Sequence, residues 1–281
     1  MIAGATLVVP APAKVNLFLH VTGRRADGYH DIESLFVLID WADTITLAAR
    51  DDGAIVRERP LPGVDERDDL AVRAAIALRD ATGTPRGATI AVDKRIPMGS
   101  GLGGGSSDAA SVLLGLNRMW NTGLPRDEIA AIGAGLGADV PFFVHGEPAV
   151  ARGIGERLTS VSLPAMWLAL VVPRVHVATA DIFAAPNLTR ATPSAKIDVF
   201  SEGYGRNDLE SVACAKFPDV ARVLAMLQRA SASARMTGSG GGTFAAFDSE
   251  ADASAALAKM PRDVTARVAR TLSRHPLAAF A

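Results

Sequence analysis

The sequence is poor in the residue types that build covalent or metal-centred scaffolds. It contains one cysteine, Cys214, among 281 residues, which excludes an intramolecular disulfide and a cysteine-rich zinc site. The five histidines show no short-range spacing typical of metal ligands. The fold must therefore be stabilised by a hydrophobic core, for which a chain of this length is sufficient.

Long apolar runs and an excess of one charge are also missing. The most hydrophobic segment, residues 166–172, is far shorter than the roughly 20 residues that span a bilayer. No basic residue precedes Lys14, so the amino-terminal segment lacks the layout of a signal peptide. The formal net charge of −1 and the lack of a stripe of aromatic and basic residues argue against an RNA-binding surface. We therefore expect a cytoplasmic protein with no membrane and no nucleic-acid partner.

Apolar periodicity predicts an α+β protein. Strands are predicted at residues 13–21, 88–93, 167–172, 243–247 and 264–268, and residues 32–47 are predicted as two strands joined by an acidic turn at 40–43. Helices are predicted at residues 70–81, after the glycine-rich segment 99–105, from about 126, around 220–227 and from 249, whereas residues 133–147 are expected to be irregular. We place a boundary near residue 158, which gives an amino-terminal domain 1–158 and a carboxy-terminal domain 159–281.

The most informative segment is a glycine-rich loop between a predicted strand and a predicted helix. Five of the seven residues at 99–105 are glycine, and Ser106 and Ser107 follow. Such a loop lets backbone N–H groups approach an anion, and the positive end of the following helix dipole favours the same position. The arrangement predicts a phosphate-binding site and hence a nucleotide.

The spacing of these glycines also matches other nucleotide-binding motifs, but less well. Gly99, Gly101 and Gly104 fit the dinucleotide fingerprint of an NAD-dependent oxidoreductase, although the acids about 20 residues further on, Asp127 and Glu128, fall in the first turn of a predicted helix instead of at a strand end. A Walker loop would need a lysine after its last glycine, and the sequence has none there. The motifs of protein kinases are also missing.

Three segments in order resemble the signatures of the GHMP small-molecule kinases: residues 12–17 (PAKVNL), 97–107 and 236–241 (MTGSGG). Further matches at residues 24–30, 137–143, 182–183 and 207–210 resemble a family member whose substrate carries a cytidine diphosphate group. The resemblance implies a two-domain α+β kinase. Its amino-terminal domain would resemble ribosomal protein S5, its carboxy-terminal domain would be ferredoxin-like, and the active site would lie in the cleft between them. A homoserine or mevalonate type of GHMP kinase is the nearest alternative.

The resemblance also implies roles for individual residues. Lys14 and Asp139 match the catalytic pair, and ATP and Mg²⁺ are the implied cosubstrate and cofactor, with no magnesium ligand recognisable. The ATP-binding residues are expected to be Pro97, Met98, Gly99, Ser100, Gly101, Leu102, Gly103, Gly104, Gly105, Ser106 and Ser107. The substrate-binding residues are expected to be Asn16, Tyr29, His30, Thr179 and Phe183, with the rings of Tyr29 and Phe183 stacking on cytosine and His30 bonding its polar edge.

Each of these residues also has an ordinary structural explanation. Strand alternation places Lys14, Asn16, Phe18 and His20 on one face and Val15, Leu17, Leu19 and Val21 on the other, so Lys14 could be a solvated edge residue. Asp139 could cap a helix or a turn, and Phe183 could belong to the core. Asp69 stands where the family often has asparagine, which puts adenine contacts by this segment and by Lys94 in doubt.

Overall fold

The computed structural model describes residues 4–194 and 205–281 as a mixed helix and sheet structure. The first half contains β1 (Thr6–Arg24), β2 (His30–Arg50), β3 (Ile55–Arg57), α1 (Leu70–Thr82), β4 (Gly87–Asp93), α2 (Gly104–Trp120), α3 (Arg126–Ala134), α4 (Val140–His145), β5 (Ala149–Gly153) and β6 (Arg157–Ser160). The second half contains β7 (Trp167–Pro173), α5 (Thr179–Phe183), α6 (Glu210–Lys216), α7 (Pro218–Gln228), β8 (Arg235–Met236), β9 (Thr243–Phe247), α8 (Glu250–Leu257) and β10 (Val264–Leu272). The α+β class is confirmed.

Strand β2 is the hub of the sheet, since it pairs antiparallel with β1, β4, β5 and β10. The prediction of a turn at residues 40–43 is wrong, because β2 runs unbroken through them. Two extra residues of β2 bulge between the pairs Pro12–Ala42 and Lys14–Leu38. In this bulge, Asp40 accepts a hydrogen bond of 2.9 Å from the backbone N–H of Arg270 in β10. The acidic segment is therefore the place where the second half of the chain joins the first.

A second bulge, in β1, corrects the predicted faces of that strand. Asn16 pairs with Phe36 and Phe18 pairs with Leu35, so Leu17 is an extra residue. Because one inserted residue reverses the alternation, Phe18 packs in the same apolar cluster as Val15 and Leu17. The prediction that Phe18 shares a face with Lys14 is therefore wrong.

Helices α1 and α2 cover one face of the β1–β2–β4 sheet and form the core of the first half. Val112 and Leu116 of α2 and Leu78 of α1 pack with Ile45 and Leu47 of β2, all fully buried. Residues 140–145 form α4 where irregular structure was predicted. Its apolar side chains, including Phe142 and Phe143, lie in the same core. This core fixes the two segments that carry the candidate site, β1 and the start of α4.

The second half is an antiparallel sheet in the order β10–β7–β9–β8, with α7 and α8 on one face. Ala169 and Val171 of β7 contact these helices, whereas Leu168 and Leu170 pack toward Val37 of β2. Burial of both faces explains why residues 166–172 are continuously apolar. No helix in the described part of the chain is long and apolar enough to cross a membrane. The domain boundary near residue 158, close to the end of β6, stays a prediction.

Candidate active site

The glycine-rich loop ends in a helix whose first N–H groups are left free. Gly103 precedes α2 in the left-handed conformation, at φ 72°, and provides no side-chain cap. The first intrahelical bond recorded at this end runs from the N–H of Ser107 to the carbonyl of Gly103, at 2.9 Å. The preceding N–H groups of residues 104–106 therefore remain available for an anion.

The loop lines a cavity of about 320 Å³, here called the nucleotide cavity. Nine of the eleven predicted ATP-binding residues line it; the other two, Leu102 and Ser107, do not. Leu102 is buried in the core, and the Ser107 hydroxyl donates to the carbonyl of Pro12 at 2.6 Å. These two residues hold the loop against β1, since the Leu102 carbonyl also accepts a hydrogen bond from the Lys14 N–H at 3.0 Å.

The second glycine-rich turn, residues 237–242, packs directly on the first. The N–H of Gly242 donates to the carbonyl of Ser100 at 2.9 Å. A Cβ atom on Gly240 would lie 2.2 Å from the backbone nitrogen of Gly101, which leaves no room for a side chain. Glycine is therefore required here by the packing of two backbones, in addition to any contact with phosphate.

Lys14 and Asp139 meet between these loops and α4. The Lys14 ammonium lies 3.5 Å from the Asp139 carboxylate, with side-chain exposures of 4% and 34%. Asp139 occupies the position before α4, but its side chain makes no capping hydrogen bond. The alternative role of a helix cap is therefore excluded. Lys14 is not a solvated edge residue either, because its side chain is buried and its ammonium lies 4.9 Å from the centre of the Phe36 ring.

Asn16 connects Lys14 to the second half of the chain. Its side-chain oxygen accepts a hydrogen bond from the Lys14 ammonium, and its Nδ2 donates to the Ser34 hydroxyl at 2.8 Å. The backbone N–H of Asn16 donates to the Thr237 hydroxyl at 2.8 Å. Both side-chain partners orient the Asn16 amide so that its oxygen faces the ammonium.

A larger cavity, of about 830 Å³, lies beside the nucleotide cavity and is called the acceptor cavity. All seven residues predicted as catalytic or substrate-binding line it: Lys14, Asn16, Tyr29, His30, Asp139, Thr179 and Phe183. Ser106 lines both cavities, so the start of α2 is their common wall. A phosphate held by the glycine-rich loop would therefore face a group bound near Asp139.

The aromatic end of the acceptor cavity is built from three rings. The rings of His30 and Phe183 are 5.1 Å apart, centroid to centroid, and Phe183 also packs on an apolar cluster behind it. Phe183 thus packs against the core and also lines the cavity. Tyr29 is 60% exposed at the tip of the β1–β2 hairpin. Nearby, the hydroxyls of Thr179 and Ser239 are hydrogen-bonded at 2.6 Å.

Sequence reasoning missed Arg190, which holds this end of the cavity together. Arg190 lies in the segment that follows α5. Its Nε donates to His30 Nε2 at 3.0 Å, and its Nη2 donates to the carbonyls of Phe183 and Ala185. Burial, and then the charges of Arg190 and Arg24, lower the pKa of His30. The imidazole is therefore neutral at pH 7, with its proton on Nδ1.

A buried charge cluster lies under the nucleotide cavity. Lys94 lines the cavity and bonds to Asp43 and, at 2.7 Å, to Asp108. Burial alone would lower the pKa of Lys94, but the two carboxylates outweigh it and raise that pKa.

Asp69 is not part of this cluster. Its side chain caps α1 and pairs with Arg57 at 3.3 Å, and both side chains are less than a tenth exposed. Its carboxylate therefore supports α1, and the adjacent Leu70 contributes to the cavity.

Comparison with known proteins defines the class. The model of the GHMP kinases N terminal domain matches residues 69–147, and that of the GHMP kinases C terminal domain matches residues 194–266. The chain belongs to the GHMP kinase family. Among its relatives, the 4-diphosphocytidyl-2-C-methyl-D-erythritol kinase of Cupriavidus necator is 54% identical over 277 residues, which cover 97% of this chain and 95% of the relative. The protein of the same name from Dechloromonas aromatica is 53% identical over 269 residues, covering 96% and 98%.

Solved structures agree with this assignment. A crystal structure of 4-(cytidine 5′-diphospho)-2C-methyl-D-erythritol kinase matches with a TM-score of 0.83 at 33% identity, covering 94% of this chain and 99% of that one. A homoserine kinase from Cytophaga hutchinsonii matches with a TM-score of 0.72 at 17% identity over 98% and 97% of the two chains, which shows the shared fold. The predicted family, its two-domain fold and the activity of an ATP-dependent small-molecule kinase are confirmed. The roles of individual residues stay predictions.

Proposed function

We propose that the protein transfers the γ-phosphoryl group of ATP to the 2-hydroxyl of 4-diphosphocytidyl-2-C-methyl-D-erythritol, in the non-mevalonate route to isoprenoid precursors. The observation that carries this proposal is the acceptor cavity. It brings the Lys14–Asp139 pair and the rings of Tyr29, His30 and Phe183 into one space that meets the nucleotide cavity at Ser106. The names of the relatives, at 50–54% identity over nearly the whole chain, support the same substrate.

The mechanism follows from the Lys14–Asp139 pair. Asp139 accepts the proton of the 2-hydroxyl as its oxygen attacks the γ-phosphorus, the bond to the β-phosphate oxygen breaks, and ADP leaves. The Lys14 ammonium, 3.5 Å from the Asp139 carboxylate, stabilises the negative charge that develops on the attacking oxygen. Because the transition state of phosphoryl transfer is loose, the N–H groups at the start of α2 contribute mainly by positioning the phosphates.

Recognition of a cytidine diphosphate group is assigned to the other end of the acceptor cavity. Tyr29 and Phe183 provide ring faces for a base, and the neutral His30 provides one N–H donor for its polar edge. Of the charged residues lining this cavity, Asp27 is paired with Arg25 at 3.0 Å and Asp139 with Lys14. Arg24 makes no ion pair with any described residue, so its charge is available for a diphosphate.

Mg²⁺ is expected to enter with ATP. Residues 4–194 and 205–281 contain no group of three or more His, Cys, Asp or Glu side chains that could hold a metal ion. This fits an ion bound mainly by phosphates, which is usual for Mg²⁺ in kinases. Ser106, which lines both cavities, and Asp139, which lines the acceptor cavity, are oxygen-bearing side chains that could reach such an ion. Such an ion neutralises charge on the transferred phosphoryl group. The cytoplasmic location and the lack of a nucleic-acid partner stay predictions.

The proposal is tested with a substrate panel. Purified protein is incubated with ATP, Mg²⁺ and either 4-diphosphocytidyl-2-C-methyl-D-erythritol, homoserine or mevalonate, and products are identified by mass spectrometry. A product heavier by one phosphoryl group is expected with the cytidine compound alone. Phosphorylation of homoserine or mevalonate instead would retain the kinase fold and contradict the assignment of the cytidine pocket.

A further inference from the structure

Residues 207–210, one of the further matches to the kinase family, lie outside both cavities described above. They nevertheless bind the backbone next to Gly238, which lines the acceptor cavity. Asn207 is 5% exposed, and its Nδ2 donates to the carbonyls of Met236 and Gly238 at 3.0 and 2.8 Å. Glu210 accepts a hydrogen bond of 2.7 Å from the N–H of Met236. Three hydrogen bonds therefore fix the backbone on both sides of Thr237.

Thr237 passes this constraint to the catalytic strand. It is fully buried, its N–H donates to the carbonyl of Gly242 at 2.8 Å, and its hydroxyl accepts the N–H of Asn16 at 2.8 Å. The side chain of Asn16 in turn accepts from the ammonium of Lys14. A path made of hydrogen bonds and of the backbone of residues 236–238 thus runs from Asn207 in the second half of the chain to Lys14 in the first.

We propose that Asn207 is a positioning residue for phosphoryl transfer: by holding Thr237 it fixes Asn16, and through Asn16 the Lys14 ammonium beside Asp139. This inference rests on the proposed function in one respect, since kcat is measured with the proposed reaction. The bulge at Leu17 disrupts the strand pairing next to Asn16, and the hydrogen bond from the Asn16 N–H to Thr237 provides a partner at that point.

The neighbouring Asp208 provides a matched control. It is equally buried, and it also ties this segment to β1 through a hydrogen bond from the N–H of Val21. The hydroxyl of Thr192, outside β1, donates to the same carboxylate. These contacts do not lead to Lys14. Loss of Asp208 contacts should therefore lower stability without affecting the catalytic pair.

The test compares Asn207→Asp, which keeps the shape but loses the NH₂ donor, with Asp208→Asn. We expect Asn207→Asp to lower kcat at least tenfold with the KM for ATP within threefold, and to speed amide hydrogen exchange at Asn16. We expect Asp208→Asn to lower Tm with kcat within twofold. An unchanged kcat and Asn16 exchange in Asn207→Asp, or an equal loss of kcat in Asp208→Asn, would overturn the proposal.

Two variants of Thr237 keep the proposal falsifiable if Asn207→Asp does not fold. Thr237→Val removes the acceptor for Asn16 and should reproduce the loss of kcat, whereas Thr237→Ser retains it and should restore wild-type turnover. Full activity in Thr237→Val would contradict the inference. Because hydrogen exchange at Asn16 needs no substrate, failure of the proposed reaction in the wild-type protein is distinguishable from failure of the positioning role.

Discussion

The guanidinium of Arg190 donates a hydrogen bond of 3.0 Å to His30 Nε2 and thereby fixes which nitrogen of the imidazole carries the proton. The same guanidinium binds the carbonyl of Phe183 at 2.9 Å, so one side chain sets both the donor and a ring wall of the acceptor cavity. Replacing Arg190 by Lys keeps the charge but loses the planar guanidinium that makes both hydrogen bonds at once. We expect Arg190→Lys to raise the KM for the cytidine substrate about tenfold with the KM for ATP unchanged, as measured by steady-state kinetics. Equal changes in both KM values would show that the effect is not local.

Tyr29 is expected to act through its ring. Stacking of a base on an aromatic side chain contributes about 1–3 kcal/mol, which corresponds to roughly 5- to 150-fold in affinity. Tyr29→Ala should raise the KM for the cytidine substrate within that range, whereas Tyr29→Phe, which keeps the ring, should remain near wild type. If Tyr29→Phe loses as much as Tyr29→Ala, the hydroxyl rather than the ring face makes the contact.

Arg24 and Arg25 are adjacent arginines with different electrostatic partners. Arg25 is paired with Asp27 at 3.0 Å, whereas Arg24 lines the acceptor cavity with no described ion-pair partner. Arg24→Met should therefore weaken binding of cytidine 5′-diphosphate about tenfold and leave binding of cytidine unchanged, as measured by titration calorimetry. Arg25→Met is the control and should change neither. A similar loss for both ligands in Arg24→Met would place Arg24 at the base instead of the diphosphate.

His275 predicts a pH-dependent stability. It is buried, its Nδ1 accepts the N–H of Leu277 at 3.0 Å, and its Nε2 has no partner among the described residues. Burial, and then the charge of Arg126, lower the pKa of His275 to about 4. As the pH falls from about 6.5 toward 4, the unfolded chain takes up a proton at this residue and the folded protein does not, so stability is lost in that window, on the order of 3 kcal/mol in total.

His275→Asn keeps an acceptor for Leu277 but cannot titrate. Urea unfolding at pH 4.5 and pH 7.5 should therefore show a smaller loss of stability in the variant than in the wild-type protein. Parallel losses in the two proteins would contradict the assigned role of His275.

The fold and the site differ in how far the sequence predicts them. Local patterns predicted the glycine-rich loop, the helix that follows it and most strands, because these depend on residues close in the chain. The bulges in β1 and β2 were missed, since apolar alternation does not reveal where strand pairing shifts its register, and Asp40 meets a residue as distant as Arg270. The contacts of Arg190 with His30 and of Thr237 with Asn16 were missed for the same reason, since each joins residues more than a hundred positions apart in sequence.

The central claim is that Asp139 accepts the hydroxyl proton. Asp27 lines the same cavity and is also a carboxylate, so Asp27→Asn is a matched control for Asp139→Asn. The decisive measurement is the turnover rate of both variants with saturating substrates, together with their affinity for ATP. Asp139→Asn should lower turnover by two or more decades at unchanged ATP affinity, as removal of a general base typically does, and Asp27→Asn should stay within about threefold of wild type. Wild-type turnover in Asp139→Asn would contradict the account.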